Sequence, residues 1–153
     1  MTARFDHAWI AAHIPHHGSM CLLDHVVAHD AQQVRCVAHS HRSSDNPLRA
    51  HGRLAAACGI EYAAQAMAVH GALLAAGAAP RPGFLASVRS AVLHVGRLDD
   101  IDQDLTVQAV RVTGDSGTVL YDFTLHAGER LLIEGRAAIV LNVSMPDLPG
   151  AQS

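Results

Sequence analysis

Glu61 stands alone as a carboxylate inside the apolar stretch Leu54 to Ala76, and Gln65 follows it four positions later. On a helix that spacing places both side chains on one face, about one turn apart, as a polar spot in an otherwise greasy wall. His70 lies nine positions beyond Glu61, roughly 900° of rotation at about 100° per residue, and so projects from the opposite side. A carboxyl set among apolar neighbours holds its proton more readily, and an acid that keeps its proton suits the protonation of a departing hydroxyl; a base must then stand nearby. The structural alternative is an ion pair from Glu61 to an arginine such as Arg53 or Arg89, holding two elements together.

Gly52 and Gly59 flank the start of the same stretch. Backbone N–H groups at a helix start can polarise a carbonyl and stabilise an enolate-like transition state, and glycine lets a substrate come close. Gly59 reads equally well as a small residue that accommodates a crossing strand or helix. His39 and His41 sit two apart on a strand-like segment and share a face there, which permits metal binding, but no third ligand stands at a suitable spacing. Cys21, Cys36 and Cys58 are odd in number, lack a Cys-x-x-Cys spacing, and read as small hydrophobes with free thiols.

The elements that must position these residues follow from pattern. Phe5 to His13 reads as a short helix, closed by the Ile14-Pro15-His16-His17-Gly18 turn. Met20 to Val27 and Gln33 to Ser40 read as a hairpin turning near Asp30-Ala31, and Arg42 to Arg53 as a polar loop. Leu54 to Ala76 reads as one long helix, apolar nearly all round and therefore covered by protein on most sides. Its length raises the question of a membrane span, but Glu61, Gln65 and His70 would each cost free energy near a bilayer centre. After the break at Ala79 to Gly83, strands are expected at Phe84 to Val95, Asp104 to Thr113, Thr118 to His126 and Arg130 to Val143. The whole describes an α+β domain over residues 1–143, an antiparallel sheet wrapped around one central helix, with a frayed tail at 144–153.

Composition narrows the partners. The chain has 153 residues, half of them apolar and 16% charged, which excludes intrinsic disorder and leaves little charged surface for a monomer, favouring an oligomer. The formal net charge is -3 and the arginines are scattered, so no phosphate-binding stripe exists and nucleic acid is not an expected partner. The start lacks a basic stretch followed by an apolar core, so a cytoplasmic protein is expected. No cofactor and no metal are expected.

Three stretches resemble a known family. Ile14-Pro15-His16-His17-Gly18-Ser19-Met20-Cys21-Leu22-Leu23-Asp24-His25-Val26 is similar, without a gap, to the opening signature of bacterial 3-hydroxyacyl-acyl-carrier-protein dehydratases. Gly59-Ile60-Glu61-Tyr62-Ala63-Ala64-Gln65-Ala66-Met67 resembles their helix motif, and Gly83-Phe84-Leu85-Ala86-Ser87-Val88 their tunnel-lining strand. The helix motif is nearer still to the dehydratase-like proteins of aryl polyene pigment pathways. The resemblance implies a hotdog fold, a dimer with sites at the subunit boundary, and a catalytic role for Glu61. His16, in the matched opening, corresponds to a position that shapes the turn.

One feature of the family is missing. Its catalytic histidine lies in a His-Phe-Pro-Gly stretch before the helix, whereas the ungapped spacing back from Glu61 lands here on Pro47, within Asp45-Asn46-Pro47. His51, next to Gly52, is the candidate replacement, since an imidazole titrating near neutrality can take an α-proton. The candidates are therefore Glu61 and His51 for catalysis, with Gly52, Gly59, Gln65 and His16 around the substrate. Three functions fit: dehydration of a 3-hydroxyacyl thioester carried by an acyl carrier protein or coenzyme A; a catalytically weak hotdog subunit that binds acyl thioesters or completes a heterodimer; and an acyl thioesterase, in which the helix carboxylate acts as nucleophile or activates water. A homodimer or a hetero-oligomer with another hotdog subunit is expected.

Overall fold

The computed structural model describes residues 4–75, 83–115 and 117–141. The tail at 144–153, Val143, Ala76 and most of the Ala79 to Gly83 break lie outside the described residues. Helix α1 spans His7–His13, two residues later than the Phe5 start expected, because Asp6 caps it by accepting the Trp9 N–H at 2.9 Å. It ends where Ile14, forced out of the helical region by Pro15, becomes extended.

A single 3-10 turn at Gly18–Met20 follows, and the first strand, β1, begins only at His25 and runs to His29. The expected strand start at Met20 is not realised, and the reason is a hydrogen bond: the Leu22 N–H donates to the Gln65 side chain instead of a strand neighbour. Leu22 and Leu23 are buried, each contributing roughly 1.5–3 kcal/mol to holding this segment against the core. Strand β2 (Gln33–Ala38) pairs antiparallel with β1, and Asp30 makes the turn by accepting the Gln32 and Gln33 N–H groups.

The central helix, α2, spans Gly59–Leu74, preceded by a 3-10 turn at Ala56–Cys58. It is shorter than Leu54 to Ala76 because Leu54 is committed to the segment after the next strand: its N–H donates to Asp99 Oδ1 at 2.8 Å and its carbonyl accepts the Leu98 N–H. Among the described residues no helix is long and apolar enough to cross a membrane. Strands β3 (Gly83–Leu93), β4 (Leu105–Gly114), β5 (Thr118–Ala127) and β6 (Arg130–Leu141) complete a six-stranded antiparallel sheet in the order β1-β2-β4-β5-β6-β3. This is the wrapped-helix α+β arrangement expected.

Helix α2 packs chiefly on β2, β4 and β5, burying Tyr62, Ala63, Ala66, Met67 and Val69. Its first residue presses closest to the sheet. A Cβ at Gly59 would collide with Ile133 Cδ1 and come within 3.1 Å of Leu125 Cδ2, and the Gly59 N–H is already donated to Ala56 and Ala57 carbonyls. Gly59 is therefore a packing glycine facing the sheet, which decides between the two readings of that position. The far flank of the same sheet face is uncovered: on β3, Leu85 is 41% exposed and Leu93 44%.

Two histidines are buried completely. His70 Nε2–H donates to the Asp30 carbonyl while Nδ1 accepts from the Tyr121 hydroxyl, itself pushed up to about 12 by burial. His41 Nε2–H donates to the Ile101 and Gln103 carbonyls. Burial holds both imidazoles below their ordinary value.

Two predictions follow from this packing. As pH falls through about 6.5 the unfolded chain takes up protons that folded His41 and His70 refuse, so stability declines on acidification; urea midpoints between pH 7.5 and 5.5 should fall, and less steeply in His70→Gln. Gly59→Val should lose about 1–3 kcal/mol in the same titration through overpacking against Ile133 and Leu125, whereas unchanged stability would contradict the close approach.

Candidate active site

Glu61 lies in the first turn of α2, with its side chain 32% exposed. Its Oε1 is 3.0 Å from His16 Nε2, and the same oxygen accepts a longer bond of 3.3 Å from Gln65 Nε2. Among the described residues no hydrogen bond reaches Oε2. Neither Arg53 nor Arg89 pairs with the acid; the cation-capable partner is the imidazole of the opening motif. A histidine that sequence similarity assigned to the shape of a turn thus stands in direct contact with the carboxylate.

Gln65 explains how that contact is held. Its side chain is fully buried, its Oε1 accepts the Leu22 N–H at 2.9 Å, and its Nε2 donates to the Met20 carbonyl at 2.7 Å. The amide therefore clamps the backbone just after His16 onto the helix one turn beyond Glu61. With both its ends engaged internally, Gln65 orients the acid and fixes the segment that carries the imidazole. The i, i+4 spacing placed it on the right face, while its burial came from the tertiary fold.

His16 is 26% exposed at the side chain, but its Nδ1 is buried and without a hydrogen-bond partner among the described residues. With Nε2–H directed at Glu61, Nδ1 carries an open lone pair. A carboxylate and an imidazole joined at 3.0 Å can exchange a proton, and each can orient the other.

The loop before α2 reaches the helix through residues the sequence did not single out. Asn46, buried beside Pro47, donates from Nδ2 to the Ser40 carbonyl and to the Tyr62 hydroxyl, and its Oδ1 accepts the Leu48 N–H. Ser40 Oγ donates to the Leu22 carbonyl, so the Tyr62 hydroxyl must be the donor to Ser40 Oγ. This chain ties loop, helix and opening motif together one residue after Glu61. The only sequence signal for it was an Asx residue before proline, which reads as an ordinary turn.

His51 is not brought to the acid. It sits exposed in the Ala50 to Arg53 turn with φ 54°, and among the described residues its ring makes no hydrogen bond or ion pair. Gly52, at φ +75°, is exposed in the same turn, and its carbonyl accepts from Arg49 Nη1. His39 and His41 also diverge: β2 ends at Ala38, so strand alternation does not govern them, and exposed His39 pairs with Asp24 at 2.9 Å while His41 turns inward. Among the described residues no cluster of three His, Cys, Asp or Glu side chains is arranged to hold a metal. Cys21 and Cys36 are buried and Cys58 half-buried, all as free thiols, with Cys36 pushed up to about 12 by burial.

An open groove of about 590 Å³ lies elsewhere, lined by Val95 to Arg97, Asp100 to Gln103 and Arg130. Glu61 and His16 are not among its walls. The dyad borders the partly exposed side of α2.

Comparison with known proteins gives this geometry a family. A solved structure described as the dehydratase heterocomplex ApeI:P from Xenorhabdus doucetiae superposes with a TM-score of 0.78 at 20% identity, covering 89% of this chain and 92% of that one. A mutant thioesterase from Pseudomonas aeruginosa follows at TM-score 0.56 and 14% identity, covering 76% and 79%. A hypothetical thioesterase with coenzyme A from Streptococcus pneumoniae gives 0.54 at 15% identity, covering 76% and 84%. These likenesses establish the hotdog fold. No curated protein sequence matches the chain. Residues 8–150, however, match the sequence profile of the ApeP-like family, described as ApeP dehydratase, and the chain belongs to that family.

Proposed function

We propose that this dehydratase-family protein removes water from 3-hydroxyacyl thioesters presented by an acyl carrier protein, in the cytoplasm and in fatty-acid or polyene-type biosynthesis. The observation that carries the reading is the Glu61 to His16 contact of 3.0 Å at the start of α2. Glu61 Oε2 takes the C2 proton of the substrate, the C–O bond at C3 breaks as the C2–C3 double bond forms, and the same oxygen delivers that proton to the leaving hydroxyl. The proton thus departs with the water, which restores the Glu61 carboxylate, while His16 Nε2–H holds Oε1 in place. In this proposal His16, rather than His51, is the histidine that serves the site, by positioning the carboxylate.

A second reading is favoured by one observation. The flank of the sheet beyond α2 leaves Leu85 and Leu93 bare, and β3 is an edge strand with Phe84 62% exposed. Long apolar edges of this kind pair with another sheet. We therefore propose that β3 joins a hotdog subunit, and that the acyl chain lies in the boundary so formed, next to α2. If the isolated chain is inactive but dehydration appears once another hotdog subunit is added, the chain completes a site instead of owning one.

The test is an assay of purified protein with 3-hydroxyacyl thioesters, following enoyl absorbance and free thiol together. Enoyl product without thiol release is expected; thiol release would make the protein a thioesterase. Glu61→Gln and His16→Ala should each lower turnover at least about a hundredfold, with circular dichroism unchanged, while His51→Ala retains it. Full turnover in His16→Ala would return that residue to a structural role. Gln65→Leu removes the clamp and strands the Leu22 N–H, so it should cost about 1–3 kcal/mol of stability and lower kcat more than it raises KM.

A further inference from the structure

The segment that carries His16 is anchored at Met20 and Leu22, and Gln65 supplies only part of that anchorage. Its bonds to the Met20 carbonyl and the Leu22 N–H both come from one planar amide. A segment gripped by a single planar group is held at a fixed height but keeps a rotation about the line through its two anchors. A bond from another element removes that freedom. Ser40 Oγ donates to the Leu22 carbonyl at 2.8 Å, from the 3-10 turn Ser40–Arg42 that follows β2.

Ser40 is itself a fixed point. Its carbonyl accepts from Asn46 Nδ2 at 3.0 Å and from the Ser43 N–H at 3.1 Å, and its hydroxyl oxygen accepts from the Tyr62 hydroxyl at 2.8 Å. Tyr62 is buried and follows Glu61 directly on α2. The helix therefore places the acid through one side chain and braces the segment of the imidazole through the next.

The chain between Leu22 and His16 is a short, stiff lever. Within it the Met20 N–H donates to the His17 carbonyl at 3.2 Å and the Cys21 N–H to the Gly18 carbonyl at 3.1 Å. A rotation at Leu22 is thus carried to the imidazole instead of being taken up by slack backbone. Position 40 also makes a chemical demand: one atom must donate to a carbonyl and accept from a phenol at once. A hydroxyl does both, a thiol does both weakly, and a methyl does neither.

Resting on the reading of Glu61 and His16 as the working pair, we infer that Ser40 is a positioning residue for the reaction: through Leu22 it sets the angle at which His16 Nε2–H meets Glu61 Oε1, and so the direction in which Oε2 faces the substrate. Ser40 acts on the pair through the backbone, and the fault left by its removal is one of orientation.

A double-mutant cycle tests this. Ser40→Ala should lower kcat roughly tenfold, as a small misplacement of a working group does, with KM little changed. Ser40→Thr, which keeps the hydroxyl, should restore most of the loss, and Ser40→Cys, which keeps the shape, should not. In the His16→Ala background Ser40→Ala should cost nothing further, because the group it orients is gone. The same loss in both backgrounds would overturn the inference and leave Ser40 a general structural residue. A second readout needs no turnover: nitrogen NMR of labelled histidine reports the tautomer of His16. Wild type should hold the Nε2–H form, and Ser40→Ala should move the His16 signals toward an average of the two tautomers. Absence of turnover in wild type together with that movement would sink the dehydratase reading and keep the positioning by Ser40, whereas His16 signals unmoved in Ser40→Ala would overturn the positioning whatever the activity.

Discussion

The buried amide of Gln65 is the constraint on which the site depends. It takes the Leu22 N–H and gives to the Met20 carbonyl and to Glu61, so that one side chain sets the height of the opening segment against the helix. An amide in that place cannot be left half-satisfied, because each unmade bond in the interior costs about 1–3 kcal/mol. That penalty makes the geometry stiff. His16 lies four residues before Met20, and with the backbone fixed at Met20 and Leu22 its imidazole is delivered to Glu61 without a hydrogen bond from its own Nδ1.

The composition of α2 follows from what surrounds it. Ala63, Ala66 and Gly59 allow the sheet to come close, and Tyr62, Gln65 and His70 are each matched to specific polar partners. Tyr62 is matched to Asn46 and Ser40, Gln65 to the opening segment, and His70 to Tyr121 and Asp30. A single helix cannot cover a six-stranded sheet, however, and it sits over β2, β4 and β5. The bare flank at β3, with Leu85 and Leu93 uncovered, is the consequence.

The fold was legible because it rests on periodicity. Four strands after the helix, a hairpin before it and a central helix too apolar to face water are all readable from the chain, and their ends shift by a few residues at most. Larger departures occur where a distant residue intervenes. Leu54 looks helical until Asp99, 45 positions away, takes its N–H, and Met20 to Leu22 look like strand until Gln65 takes the amide. The same limit governed the site. The spacing of four between Glu61 and Gln65 is local and visible, whereas the meeting of Glu61 with His16 spans 45 positions and depends on a turn, a clamp and the packing of Leu22 and Leu23. Counting back along the chain from Glu61 reached Pro47 and suggested His51, yet the loop docks by Asn46, which holds Tyr62 and leaves His51 in an outward turn.

That docking has a consequence for chemistry. In a site built from one loop histidine and one helix carboxylate, base and acid approach the substrate from separate elements, and their distance can change as the loop moves. Here the imidazole belongs to the opening segment, which Gln65 and the Asn46, Tyr62 and Ser40 chain bind to the same helix as the acid. Loop, opening segment and helix are therefore tied to one another by side-chain hydrogen bonds on both sides of Glu61. The oxygen of the pair that no described residue engages is Glu61 Oε2, on the side that α2 leaves partly exposed.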